Sequence, residues 1–161
     1  MHFVSKLLLF ATLFIAIDCQ AALAAQARAT VGAQKGQFKT VELDSFIEQE
    51  KKVVGKGKRL IRMAEPVSFQ ARVKRHPEER PMSYVYEVLE LAGVKPVPEV
   101  GHRMFVESRG RRIIPVYVEK QAVARIGKEL KEGKSARFLG YHLYSYGKGP
   151  AILVVDFVGV K

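Results

Sequence analysis

Cysteine is all but missing from this 161-residue chain: Cys19 is the only one. It lies inside a leader-like segment, so a mature form cut after that segment has none. That excludes a disulfide, a thiol nucleophile and a CxxCH haem attachment. A long apolar run is also missing. Leu7 to Ile17 (LLLFATLFIAI) is uncharged but only eleven residues long, against the ~20 that a membrane-spanning helix takes. Metal-ligand spacing is absent too. His76, His102 and His142 stand far apart, none with a second His or a Cys nearby, so nothing calls for zinc or another cofactor. There is no GxSxG and no GxxxxGK[ST], which leaves neither a nucleophile elbow nor a phosphate loop. Carboxylates are scarce: 16 Asp and Glu against 27 Lys and Arg, a net charge of +11.

What is present begins with the leader. Met1 to Lys6 is short and basic, Leu7 to Ile17 is apolar, and Ala21 to Ala25 supplies small residues. That order is a secretory signal peptide. Residues 1–25 are therefore expected to be cleaved, leaving a periplasmic or secreted protein. Ala22-Leu23-Ala24 sets a mature start at Ala25; Ala25-Gln26-Ala27 sets one at Arg28. Asp18 stands where a lipobox would need a small residue before Cys19, which argues against lipidation. The leader holds one Lys and one Asp, so the whole net charge of +11 stays with the mature chain. Such a field favours anionic partners: an anionic polymer or an acidic protein of the cell envelope, with nucleic acid outside the cytoplasm as the alternative.

The remaining length suits one domain. Residues 26–42 read as a flexible basic lead-in and 43–161 as a single domain with an N-terminal helix. The spacing predicts that helix over Thr40 to Val54, capped by Asp44 or Ser45, with Leu43, Phe46, Ile47 and Val54 as its apolar stripe. Val67 to Lys74 alternates with period two, placing Val67, Phe69, Ala71 and Val73 on a buried face. His76 to Pro81 reads as a polar loop. Ser83 to Ala92 fits a short helix or a strand; Gly93-Val94 favours a helix ending in a glycine cap. Met104 to Val118 is expected as a hairpin turning at Arg109-Gly110. Glu119 to Leu130 is a helix burying Ala122, Ile126 and Leu130. Ser135 to Tyr146 and Ala151 to Val160 form a last hairpin across Gly147-Lys148-Gly149-Pro150.

This order is mainly β with short helices. Over Val67 to Lys161 it resembles the OB-fold, a five-stranded barrel with its helix between strands three and four. An α+β roll and an SH3-like barrel would read similarly.

The densest chemistry lies in Phe138 to Pro150. Alternation puts Phe138, His142, Tyr144 and Tyr146 on one face, and Leu139, Tyr141 and Leu143 on the other. One face is expected in the core. The other then displays aromatic rings near Lys148 and near the strand cations Arg72 and Lys74, a pattern that suits polar or anionic polymers. The same tyrosines also suit a strand that merely closes a barrel end. Arg109, Arg111 and Arg112 form a basic tip that could grip a phosphate or carboxylate, or be solvated. The candidate ligand-binding set is thus Arg72, Lys74, Arg109, Arg111, Arg112, His142, Tyr144, Tyr146 and Lys148, with no catalytic residue. His142 and Ser145 are three apart on a strand, which places them on opposite faces and argues against a nucleophile–base pair. Asp156 in AILVVDFVGV is either an edge position or a paired buried carboxylate. Together these readings describe an exported, non-enzymatic binding module. An envelope-assembly component docking through Tyr84, Tyr86 and the Lys95–Gly101 connector is the rival.

Overall fold

The computed structural model describes residues 38–54 and 57–160. The expected signal peptide and the lead-in up to residue 37 lie outside the described residues. Six strands and three helices follow: β1 (Lys39–Val41), α1 (Leu43–Val53), β2 (Arg59–Glu79), α2 (Ser83–Leu91), β3 (Val100–Glu107), β4 (Ile113–Glu119), α3 (Lys120–Glu129), β5 (Ser135–Tyr146) and β6 (Gly149–Gly159). None of these helices is long and apolar enough to cross a membrane.

The first helix is shorter than its sequence suggests. Lys39 to Val41 pairs with Val67 to Phe69 of β2 as a parallel strand, which suits the β-branched Thr40 and Val41. The cap is Glu42, whose carboxylate accepts from the backbone N–H of Asp44 at 3.2 Å and Ser45 at 2.7 Å. Those bonds hold the Glu42 carboxyl below its usual range, Ser45 contributing most. The apolar stripe is as expected: Leu43, Phe46, Ile47 and Val54 are all buried.

The strands form one mixed sheet in the order β1-β2-β3-β4-β6-β5, and β2 and β5 pair as well. β2 makes this arrangement by dividing its length. It pairs with β5 from Arg59 to Arg72 and with β3 from Arg72 to Glu79. Val67, Phe69, Ala71 and Val73 are buried as the alternation requires. The strand then continues through His76 to Glu79, where a loop was expected. Register shifts on either side of Arg75 accommodate this stretch, and such irregularities are where a proline without an N–H, here Pro77, is tolerated. β4 and β6 pair in parallel at Tyr117 and Val118; the other strand pairs beyond β1 are antiparallel.

The ambiguous segment is helical, α2. Its end is a Schellman motif: Val94 N–H donates to the Leu89 carbonyl and Gly93 N–H to that of Glu90, both at 3.1 Å. Gly93 takes φ +72°, which glycine adopts without a Cβ penalty. Val85, Val88 and Leu89 pack with Leu143, Tyr144 and Leu153 in a cluster separate from the main core. The main core joins Phe69, Phe138, Met104 and Val116 to α1 and to Ile126 of α3. Burying each large side chain there contributes about 1.5–3 kcal/mol, and with no cysteine in 38–160 this packing holds the fold.

A tyrosine–arginine cleft

The final hairpin forms where expected, but strict alternation does not survive in β5. Its pairing with β6 slips between Leu139 and Gly140 and again between His142 and Tyr144. The first leaves an extra residue in β6, Val155; the second leaves one in β5, Leu143, and changes which side the following β5 side chains face. Both sides of β5 are covered from Phe138 to Ser145. His142 is 3 % exposed and Tyr144 5 % exposed, so neither ring is displayed beside Lys148 as the alternation had implied.

The same slip brings His142 and Ser145 together, against the expectation from their spacing. His142 Nε2 lies 3.1 Å from Ser145 Oγ and 3.2 Å from the Tyr144 carbonyl oxygen. Ser145 Oγ donates to the Glu50 carboxylate from α1, whose other contact is His142 Nε2 at 3.9 Å. A serine, a histidine and a carboxylate in contact invite comparison with a hydrolytic triad. The hydrogen bonding differs from one. Nε2 faces a carbonyl, which only accepts, so this nitrogen carries the proton and is not a base for Ser145. The Ser145 proton goes to Glu50 instead. Burial also keeps the imidazole neutral, pushing His142 below its ordinary value against the opposing pull of Glu50 and Glu65. The trio ties α1 to β5. Asp156 is likewise a paired buried carboxylate, 2.5 Å from Arg125 and accepting from the Phe157 N–H.

The basic tip divides. Asp44 accepts from Ser108 Oγ at 2.5 Å and from Gly110 N–H at 2.7 Å, which docks the β3–β4 turn onto α1. Arg112 turns toward α1 at the surface and pairs with Glu48 and Asp44. Arg109 and Arg111 stay exposed and line a cleft with Arg72 and Arg137. Lys74 stands beside that cleft through Glu107. Lys148 is exposed in the β5–β6 turn.

Tyr144 and Tyr146 line a separate cleft, of about 540 Å³, between the start of α2, the β3–β4 pair and the β5–β6 hairpin. Its other polar residues are Arg59, Arg80, Arg103, Ser83, Tyr84 and Tyr117, and no Asp or Glu stands among the described residues lining it. The rings are fixed against one another. Tyr84 meets Tyr144 edge-on at 5.8 Å, and the Tyr117 and Tyr144 hydroxyls bond at 2.7 Å. The Arg59 guanidinium sits 4.4 Å from the Tyr84 centroid, a cation–π contact. Arg103 Nε is buried and has no hydrogen-bond partner among the described residues. Burial pushes the Tyr144 and Tyr146 phenols up, so both remain protonated donors at neutral pH.

Sequence reasoning placed Tyr144 and Tyr146 in its candidate set but missed Arg59, Arg80, Arg103, Tyr84 and Tyr117 as partners. Arg103 and Tyr117 pair across β3 and β4, and both alternate with buried residues. Outward positions of that hairpin were the available signal. No protein-family model matches this chain, and no curated protein matches it significantly.

Proposed function

We propose that this protein is an exported, non-enzymatic binding module of the OB type that takes an anionic ligand in the tyrosine–arginine cleft. The pairing circuit β2-β3-β4-β6-β5 and back to β2, with α3 between β4 and β5, supports the OB assignment. In that fold ligands lie on the face of the second and third strands, flanked by the loops at one end. Here those are β3 and β4, the α2 insertion and the β5–β6 hairpin, and each contributes residues to the cleft. Export is supported by the basic, apolar and small-residue order of residues 1–25.

One observation carries the ligand class. Three arginines line a concave, tyrosine-rich site with no carboxylate among its described lining residues. Arg80 pairs with Glu78 at 3.4 Å, but Arg59 and Arg103 have no carboxylate partner among the described residues, and guanidinium groups held that way favour bidentate carboxylate or phosphate. The envelope-assembly reading has less support: the Tyr86 hydroxyl already donates to the Val100 carbonyl and accepts from its N–H.

The test compares retention on immobilised heparin. Arg59→Ala and Arg103→Ala should each weaken binding about tenfold, the value of a lost charge-assisted hydrogen bond. Lys128→Ala removes the same charge from exposed α3 and should change little. Equal losses for all three would mean diffuse attraction of a basic protein and no site.

A further inference from the structure

We infer that the ligand is an extended acidic polysaccharide, running from the tyrosine–arginine cleft along the outer side of β3 to the second basic cleft at the β3–β4 turn. This rests on the reading of the first cleft as an anion site and adds its length and polymer class.

The second cleft, of about 390 Å³, is lined by Arg72, Arg109, Arg111 and Arg137. β3 connects the two. Met104 and Val106 are buried, so Arg103, Phe105 and Glu107 lie on the opposite side of the strand. Arg103 belongs to the first cleft and Glu107 to the second. At ~3.4 Å per residue the row covers about 14 Å. Phe105 bridges its middle, with the Arg103 guanidinium 5.0 Å and the Arg75 guanidinium 5.5 Å from its centroid.

The carboxylates along the row do not cancel it. Glu107 is shared by Arg72 at 3.6 Å and Lys74 at 3.9 Å. Glu78 is shared by Arg75 and Arg80, both at 3.4 Å. Glu42, in the wall of the second cleft, is engaged in capping α1. Glu107 and Glu78 each face two cations, so a positive surplus runs from one cleft to the other. Arg111 adds a sign of use: it holds φ +62°, a backbone conformation suited to glycine, and a side chain kept there against that cost points to a role for its guanidinium.

The polymer class follows from what the aromatic rings are already doing. Single-stranded nucleic acid binds through open aromatic faces on which bases stack. Here Arg59 covers Tyr84, Tyr84 abuts Tyr144, and two guanidinium groups flank Phe105. The rings position arginines and leave N–H forks and phenol hydroxyls for the ligand. Those donors match a chain that carries a carboxylate and hydroxyls on every unit.

The experiment is calorimetric titration of the exported protein with di-, tetra- and decagalacturonate at low salt. The decamer should bind at least tenfold tighter than the dimer. Arg75→Ala combined with Arg109→Ala, both on exposed side chains, should remove that gain and leave dimer affinity within twofold. A dimer that binds as tightly as the decamer would confine the ligand to the first cleft and overturn the extended track alone. An oligothymidylate of equal charge binding tenfold tighter than decagalacturonate would overturn the polysaccharide assignment. Failure of every oligomer, oligothymidylate included, to bind would reject the cleft as an anion site as well.

Discussion

His142 is held neutral by burial, and this makes the fold sensitive to acid. Its folded-state value lies below the ordinary 6.5. Above about that pH the ring is neutral whether folded or unfolded, and no proton is exchanged on unfolding. As the pH falls below it, the unfolded chain takes up a proton that the folded chain resists, so stability is lost toward the depressed value. The melting temperature should therefore fall between pH 7 and pH 5, and His142→Gln, which keeps a donor for the Tyr144 carbonyl, should flatten that slope. An unchanged slope in the variant would remove His142 as the cause. Arg111 offers the opposite separation. Arg111→Gly relieves the positive φ and should raise stability by about 1 kcal/mol, a gain of a few degrees in thermal unfolding. A loss of stability would mean that the arginine is held by packing rather than kept for its charge.

Strands and helices differ in how much of them the sequence reveals. In β2 the run Val67 to Lys74 was legible because one face meets the core and the other meets water, so residue type tracks geometry. The Schellman ending of α2 was legible because Gly93-Val94 has few other uses after an apolar stripe. β5 was not legible, because both its sides are buried and the extra residue at Leu143 resets its alternation against β6. Nothing in the residues of a β-bulge announces it, so the contact of His142 with Ser145 and Glu50 was out of reach. Gly140 is the nearest to a signal. A Cβ built there would stand 2.1 Å from the Leu153 carbonyl oxygen, closer than any side chain tolerates. Gly140→Ala should accordingly force β5 from β6 and cost several kcal/mol, more than the ~1 kcal/mol centre of ordinary substitutions. Soluble, cooperatively melting Gly140→Ala protein of normal stability would contradict this register.

The whole chain is basic, with a net charge of +11, yet its cations are not alike. Arg112 and Arg125 are committed to carboxylates of α1 and β6, whereas Arg59 and Arg103 sit in a cleft whose described lining lacks any. Composition shows an excess of cations; it could not say which of them were spent on the fold, because that depends on contacts between residues far apart in sequence. The distinction predicts where a ligand acts. Titration of ¹⁵N-arginine-labelled protein with tetragalacturonate, followed through the side-chain Nε–Hε resonances, reads each guanidinium separately. The resonances of Arg59 and Arg103 should shift first and saturate together while that of Arg125 stays in place. Shifts spread evenly over all arginines, or none at Arg59 and Arg103, would contradict a ligand site in the tyrosine–arginine cleft.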